Sequence, residues 1–170
     1  MKEQNKVFLA SGQIFATMKH KDGSVEKREW HNVIVDVASE LMAELMKENS
    51  GVQGIMSLAV GTGAVGWDLQ NPPAATAAQT QLETELTRKT FDSTNYVDGG
   101  GSPTVTRTNI VDFITTFTES EAVGALVEMG LFGGTGATSP SSGTQVNYHT
   151  FAVWNKPSSS TLTIVWRLTF

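Results

Sequence analysis

The residues of this chain that could carry out acid–base chemistry are two pairs of glutamates spaced two positions apart. Glu83 and Glu85 form one pair, and Glu119 and Glu121 form the other. On a helix, side chains two positions apart do not face each other. On a strand they share a face about 7 Å apart, a separation similar to that of glycosidase carboxylates. Neither pair has a nucleophile, a base and an orienting group beside it in the sequence, so we expect no catalytic residues and no enzymatic activity.

The candidate metal ligands are three histidines and three aspartates. His20 and His31 flank a predicted hairpin and could approach each other across its ends, and His149 lies far along the chain. None of the histidines has the H-x-x-x-H or H-E-x-x-H spacing of zinc sites. The aspartates lack the D-x-D-x-D-G loop of a calcium site. These aspartates are Asp92, Asp98 and Asp112. We expect no bound metal.

Residues 61–66, with the sequence Gly-Thr-Gly-Ala-Val-Gly, match the G-x-G-x-x-G pattern of dinucleotide-binding sites. Such a site needs a helix that begins within the motif, so that the helix N-terminus faces the pyrophosphate. Residues 67–73, Trp-Asp-Leu-Gln-Asn-Pro-Pro, follow the motif and cannot continue a helix. The pattern therefore indicates a tight turn, and we expect no cofactor.

Four tryptophans could form a platform on which sugar rings stack. They are Trp30, Trp67, Trp154 and Trp166. Their positions are scattered along the chain, and packing within the sheet is the simpler role for Trp154 and Trp166. Carbohydrate binding is kept as an alternative function.

The composition excludes several classes of protein. The chain has 170 residues and no cysteine, so it can bury a core but cannot form disulfides or thiolate-ligated metal sites. Its net charge of −5 argues against a general nucleic-acid-binding protein. No apolar run approaches the ~20 residues of a transmembrane helix, and the N-terminal residues lack the apolar region of a secretory signal. We expect neither nucleic acid nor membrane as a partner.

Threonine and charge are distributed unevenly along the chain. Of the 21 threonines, 20 follow residue 50, whereas 15 of the 29 charged side chains lie in residues 1–50. Threonine favours strands, and the centres of protein interfaces are depleted in charge. The second part of the chain is therefore either a β-rich surface covered by another chain or a Thr-rich sandwich in solvent.

The first part of the chain predicts a hairpin followed by a helix. Residues 12–30 form the hairpin, which turns at Asp22-Gly23 because glycine accepts a positive φ angle. The returning strand is charged, which is typical of an edge that resists uncontrolled pairing. Residues 33–48 carry a single apolar stripe with helical spacing. Asn32 is the expected N-cap of this helix, and Asn49-Ser50-Gly51 its end.

The remainder predicts mostly strands. A second helix is predicted over residues 74–86, after Pro73. Residues 133–144 are rich in Gly, Ser and Thr and predict a mobile loop. The alternation of apolar and other residues is clearest in the last strand. The predicted strands or extended segments are residues 55–60, 87–97, 104–118, 125–132, 145–154 and 162–170.

Together these elements predict an α+β fold. It consists mainly of an antiparallel β-sandwich or flattened barrel, with one or two helices and an N-terminal β-hairpin arm. We expect residues 1–31 to form the N-terminal arm and hairpin, and residues 32–170 to form a single α+β domain.

Five short motifs follow one another in this chain. They are Ala59-Val60-Gly61-Thr62-Gly63, Pro72-Pro73-Ala74-Ala75-Thr76, Leu82-x-x-Glu85-Leu86-x-Arg88, Glu128-Met129-Gly130-Leu131-Phe132-Gly133-Gly134 and Leu162-Thr163-Ile164-Val165-Trp166-Arg167-Leu168. In that order, and with residues 32–36 after a short hairpin, residues 12–170 resemble small virion structural proteins of tailed bacteriophages. These are described as decoration, tail or tail-fibre-like proteins.

The resemblance implies a non-enzymatic protein located in the virion. Its implied partners are copies of itself in a homo-oligomer, with the trimer common among capsid cement proteins, and the major capsid protein or tail proteins. We favour capsid decoration, because the chain is too short for a full tail fibre and has no stalk. A tail, baseplate or short tail-fibre component is the alternative. Thr-rich strand faces and the Phe113/Phe117 row are candidate interfaces, although such phenylalanines more often belong to the core, and the N-terminus could add a strand to a neighbour's sheet.

Overall fold

The structure is a computed structural model that describes residues 11–47 and 51–170. Residues 1–10 of the predicted arm, and residues 48–50 at the predicted end of the first helix, lie outside the described residues.

The described chain contains eleven strands and one helix. Their bounds are β1 Ser11–His20, β2 Val25–His31, β3 Val33–Ile34, α1 Ala38–Met46, β4 Ile55–Gly61, β5 Glu85–Thr90, β6 Ser93–Val97, β7 Pro103–Thr104, β8 Ile110–Phe117, β9 Gly124–Gly133, β10 Thr144–Lys156 and β11 Ser160–Thr169. Six strands form the first sheet, in the order β2-β1-β11-β8-β6-β7, and five form the second sheet, in the order β3-β10-β9-β4-β5.

The two sheets enclose an apolar core, which confirms the predicted α+β fold with an antiparallel sandwich. The strand pairs are antiparallel in both sheets. Along β11, buried and partly exposed residues alternate as the sequence predicted, because every second side chain of a strand points to the same face. The largest fully buried side chains include Trp166, Phe117, Met18 and Leu162. Burial of such side chains is the main stabilising contribution to the fold.

The predicted hairpin is present and forms part of the first sheet. β1 pairs with β2 on one side and with β11 along its whole length on the other side, from Ser11 opposite Thr169 to His20 opposite Ser160. The turn contains Gly23 with a φ angle of 88°, a conformation that a residue with a Cβ atom rarely adopts.

The first helix is shorter than predicted, and its predicted cap is wrong. Val33 and Ile34 form β3, because β-branched residues favour strands and these two pair with β10. The helix begins at Ala38, and its N-cap position is Val37, which makes no side-chain capping bond. Asn32 instead accepts a hydrogen bond from the Trp166 indole N–H at 3.3 Å.

The second helix predicted over residues 74–86 is not formed. Residues 74–84 are turns and irregular chain, and β5 begins at Glu85. Leu82 is buried, and the backbone N–H groups of Glu83 and Thr84 bind a carboxylate of β9 instead of helical carbonyls. A long-range polar contact therefore overrides the local helical tendency.

The extended segment predicted over residues 87–97 is divided between the two sheets. β5 lies at the edge of the second sheet, whereas β6 pairs with β8 in the first sheet. The chain crosses at Phe91 and Asp92, where the Asp92 N–H donates to the Ile114 carbonyl at 2.8 Å. In the first sheet, β1, β11 and β8 are adjacent central strands.

Candidate docking face

The outer face of the first sheet carries an apolar row across its three central strands. Phe15 on β1 lies opposite Val165 on β11, which lies opposite Ile114 on β8. All three side chains are partly exposed, whereas their neighbours along each strand point into the core. A contiguous group of apolar side chains that stays partly exposed can contribute to an interaction surface. We call the outer face of these three strands the docking face.

A threonine row lies beside the apolar row. Thr17, Thr163 and Thr116 lie opposite one another on β1, β11 and β8. The hydroxyl oxygens of Thr116 and Thr163 are 3.1 Å apart and share a hydrogen bond. This row offers short, uncharged hydrogen-bonding groups that have little side-chain entropy to lose on contact with a partner.

The third row contains an ion pair, while Lys19, two residues after Thr17 on β1, is a further exposed charge on the same face. The Arg167 guanidinium donates to both oxygens of Asp112, at 2.8 and 2.9 Å. It also donates to the Gly101 carbonyl at 3.2 Å and lies 5.4 Å from the centre of the Phe15 ring. The Asp112 carboxylate raises the pKa of Arg167 by accepting these bonds. The row therefore presents a paired charge and no net charge.

The outer face of the second sheet, in contrast, is covered by the chain itself. Residues 74–84 contact β9, and residues 134–143 contact β4 and β5. Among residues 11–47 and 51–170, no comparable segment covers the outer face of the central strands of the first sheet. The Phe113/Phe117 row, which the sequence offered as a candidate interface, points the other way and belongs to the core, with exposures of 7% and 0%.

A buried carboxylate holds the cover of the second sheet in place. Glu128 on β9 is fully buried. Its Oε1 accepts from the N–H groups of Gly63 and Thr84 at 3.0 and 2.9 Å. Its Oε2 accepts from the Glu83 N–H and the Tyr148 hydroxyl at 3.0 and 2.7 Å. The carboxylate thus has four donors, and burial together with Glu128 raises the pKa of Tyr148. The sequence did not single out Glu128.

The Gly-Thr-Gly motif makes room for this carboxylate. A Cβ atom at Gly61 would lie 2.5 Å from the Glu128 side chain and from the Thr84 carbonyl. A Cβ atom at Gly63 would lie 2.5 Å from the ring of Trp67, and its φ angle is 74°. The prediction of a turn for this motif agrees with this geometry. The Gly63 N–H group donates to the carboxylate of Glu128.

A buried ion pair between Arg88 and Glu85 holds residues 134–143 in place. Arg88 and Glu85 on β5 have side chains that are 1% and 7% exposed, and they are 2.7 Å apart. Arg88 also donates to the carbonyls of Ala137 and Ser142, at 3.0 and 2.6 Å. Glu85 accepts from the Ser141 N–H at 3.1 Å. All five groups of this contact therefore have hydrogen-bond partners within the fold.

The glutamate pairs do not form paired acids. Glu121 lies in the turn after β8, where it accepts from the Thr118 N–H and from Lys89. These bonds, the backbone one first, lower the pKa of Glu121 to about 2. The carbonyl of Glu119 accepts from Lys156 at 3.3 Å, and burial lowers the pKa of that lysine. The Glu121 carboxylate and the Glu119 carbonyl therefore make hydrogen bonds in and around the turn after β8.

His20 lies in a chain of hydrogen bonds that has the residue types of a catalytic triad. The Ser160 Oγ is 2.7 Å from His20 Nδ1, and the Glu26 Oε1 is 2.7 Å from His20 Nε2. Glu26 also accepts from the Trp154 indole N–H, and these bonds lower the pKa of Glu26. A nucleophilic serine must reach its substrate, yet Ser160 is 0% exposed while Glu26 is largely exposed. The network ties the hairpin to β10 and β11.

The other two histidines lie apart from His20. His31 is at the far end of β2, opposite Gln13, so the expected approach of His20 to His31 is wrong. His149 packs between Trp30 and Phe151, with ring centres 5.4 and 5.9 Å away. Burial lowers the pKa of His149 to about 4. Within residues 11–47 and 51–170, no three His, Asp or Glu side chains are grouped as a metal site.

The four tryptophans do not form one platform, although Trp30 and Trp154 are in contact with ring centres 6.0 Å apart. Trp154 and Trp166 are 3% and 0% exposed, in agreement with the simpler role that their positions suggested. Trp30 packs against Phe151 with ring centres 5.1 Å apart. Trp67 lies against Gly63 in the loop after β4.

One surface depression, with a volume of about 470 Å³, lies at the hairpin tip, beside His20, Asp22 and Ser159. Another, of about 290 Å³, is formed by residues 78–83. Neither lies on the docking face. No helix in the described residues is long and apolar enough to cross a membrane.

The comparisons with known proteins add no relative to these observations. No protein-family model matches this chain, and no curated protein matches it.

Proposed function

We propose that this chain is a non-enzymatic structural protein of a tailed-phage virion. It assembles with copies of itself and docks on the particle, and we favour docking on the capsid as a decoration protein. The setting in the virion rests on the resemblance of residues 12–170 to small phage structural proteins. The mode of action rests on the docking face.

The single observation that carries this function is the contrast between the two outer faces. The chain covers the second sheet with two loops, whereas the docking face keeps Phe15, Val165 and Ile114 partly exposed. Its ion pair, Arg167 with Asp112, is satisfied internally. A surface with an apolar centre and few charges suits contact with a large partner, because few charges must lose their water on binding.

The ionisable groups of the fold are committed to structure, which supports an assembly role. Glu128 binds four donors, and Arg88 and Glu85 bind each other and a loop. These groups give the chain a rigid scaffold behind the docking face, and rigid surfaces lose less entropy on binding.

Co-sedimentation with particles tests this function. Heads and tails of the phage that encodes the chain are separated on a density gradient, and each fraction is mixed with the purified protein. We expect the protein to sediment with heads. Val165→Lys places a charge in the centre of the apolar row and should reduce binding at least about tenfold, because the charge must lose its hydration.

Val65→Lys is the matched control, since Val65 is fully exposed in the loop after β4 and away from the docking face. It should bind as the unaltered protein does. Binding to tails alone would support the alternative tail or baseplate role. Absence of binding to either fraction, or equal binding by Val165→Lys, would contradict docking through this face.

A further inference from the structure

The first sheet ends at β2, a strand of seven residues that pairs only with β1 among the described strands. The hydrogen bonds from His20 to Ser24 and from Asn32 to Gly12 show which residues face β1. Because the direction of the backbone groups alternates along an antiparallel strand, the N–H and C=O groups of Val25, Lys27, Glu29 and His31 point away from β1. Apart from His31, whose backbone also binds the His149 ring, this edge offers a ladder of backbone groups that have no partner within the described residues.

The side chains of β2 divide into two rows. Lys27 and Glu29 belong to the outer row, and both are exposed. Glu26 and Arg28 belong to the inner row and are already engaged within the chain. Glu26 binds His20 and Trp154. Arg28 donates to the Ala152 carbonyl at 2.9 Å and lies 4.6 Å from the Trp154 ring centre. The charges that remain available to a partner strand are one lysine and one glutamate.

We propose that β2 pairs antiparallel with β2 of a second copy of this chain, about a two-fold axis at Arg28. This register places Lys27 opposite Glu29 of the second copy, and Glu29 opposite its Lys27. It uses the whole strand, from Val25 opposite His31, and it forms about eight backbone hydrogen bonds. The inference rests on the self-association that the proposed function includes, and it names the contact.

The exposed charges of the outer row favour this register over its neighbours. Moving the axis to Lys27 would place two lysines opposite each other, and moving it to Glu29 would oppose two glutamates. Like charges directly opposite across a strand pair are destabilising, whereas opposite charges stabilise the pair. Charged edge strands ordinarily resist pairing. Among these three registers, only the one centred on Arg28 pairs Lys27 with Glu29 of the second copy. The two Arg28 side chains face each other at the axis, but each is held by its own β10.

The proposed contact also continues the docking face. Because the two-fold axis is perpendicular to the sheet, the two first sheets join edge to edge and their outer faces lie on the same side. A dimer would present two docking faces together, and a particle with repeated sites would bind them with increased avidity.

Reciprocal charge exchange tests the contact. Sedimentation equilibrium over a range of concentrations gives the dimer dissociation constant for the full-length chain. Lys27→Glu and Glu29→Lys should each raise this constant about tenfold, because each turns two attractive pairs into two repulsive ones. The double variant Lys27→Glu/Glu29→Lys restores opposite charges across the axis and should return to within about threefold of the unaltered protein.

Two variants control for the change in net charge. Lys21→Glu lies in the hairpin turn and Glu44→Lys on the exposed side of α1, and neither should alter the dissociation constant. Circular dichroism checks that every variant is folded. A chain that stays monomeric at its highest soluble concentration would overturn both the β2 contact and self-association.

The other outcomes concern the contact alone. An oligomer unaffected by the single reversals would overturn the β2 contact and leave self-association standing. Weakening by both reversals without recovery in the double variant would mean that another segment pairs with β2, which also overturns the contact. The docking test at Val165 is independent, because that residue lies on the sheet's face and not on its edge.

Discussion

The carboxylate of Glu128 links three segments that are distant in sequence. It accepts from the loop after β4, from the segment before β5 and from Tyr148 on β10. If glutamine replaced such a buried glutamate, its NH2 group would face a hydrogen-bond donor, and both donors would lack an acceptor. Single side chains of this kind hold the irregular parts of the fold.

Glu128→Gln should therefore destabilise the protein by about 3 kcal/mol, because the amide replaces one carboxylate oxygen with a donor group. Urea denaturation followed by tryptophan fluorescence measures the free energy of unfolding. Glu119→Gln makes the same chemical change in an exposed turn and should alter stability by less than about 0.5 kcal/mol. Equal effects of the two substitutions would contradict the assigned role of Glu128.

His149 makes the stability of the protein sensitive to mild acid. Burial lowers its pKa to about 4 in the folded state, from an ordinary value of 6.5. Protonation is therefore easier in the unfolded chain, so this contribution to stability is present above pH 6.5, falls between pH 6.5 and 4, and is constant below pH 4. The stability lost in acid is attributed to protonation of the His149 ring, which packs between Trp30 and Phe151.

Urea midpoints at pH 7 and pH 4.5 measure this loss. The drop in midpoint between the two pH values should be smaller for His149→Phe than for the unaltered protein, because phenylalanine fills the aromatic site and cannot be protonated. His31→Gln, at an exposed position on β2, should show the unaltered drop. The same drop in all three proteins would count against His149 as its source.

At the scale of elements, the cover of the second sheet depends on contacts that the local sequence does not specify. The Gly/Ser/Thr-rich segment 134–143 folds back against β4 and β5, where Ser57 donates to the Ala137 carbonyl. Arg88 adds two hydrogen bonds to the same segment and lies 3.7 Å from the centre of the Phe132 ring. A Gly/Ser/Thr-rich segment has little secondary-structure propensity, so its hydrogen bonds to Ser57 and Arg88 hold it in place.

Arg88→Met should loosen this segment. The change keeps an unbranched apolar side chain, but it leaves Glu85 buried without its cation and should cost about 3 kcal/mol. Hydrogen exchange of residues 134–143, measured by mass spectrometry, should accelerate more than exchange in β11. Arg107→Met, at an exposed arginine in the loop before β8, is the control. Unchanged exchange in residues 134–143 would show that Arg88 is not their anchor.

At the scale of the whole molecule, the two proposed contacts use different parts of one sheet. The face of β1, β11 and β8 is the proposed contact with the particle, and the edge of β2 is the proposed contact with a second copy. The apolar row at Phe15 and the charges at Lys27 lie on the same outer side, so one dimer can use both at once.

The sequence by itself determined the elements whose signals are local. The turn at Asp22-Gly23 and the alternation along β11 depend on neighbouring residues, and both were correctly predicted. The antiparallel sandwich with its helical addition followed from these patterns. Predictions from local propensity were wrong for the helix at residues 74–86 and for the cap at Asn32. There, long-range hydrogen bonds to Glu128 and Trp166 replace the local ones.

Only the tertiary structure decided which surfaces are covered. The sequence did not single out Glu128, whose donors are 20 to 65 positions away. It also placed Phe113 and Phe117 among candidate interfaces, although the sandwich turns them inward and exposes the row at Phe15 instead. The physical reason is that spacing fixes which side chains share a face of a strand, whereas the packing of the second sheet fixes which of the two faces is buried.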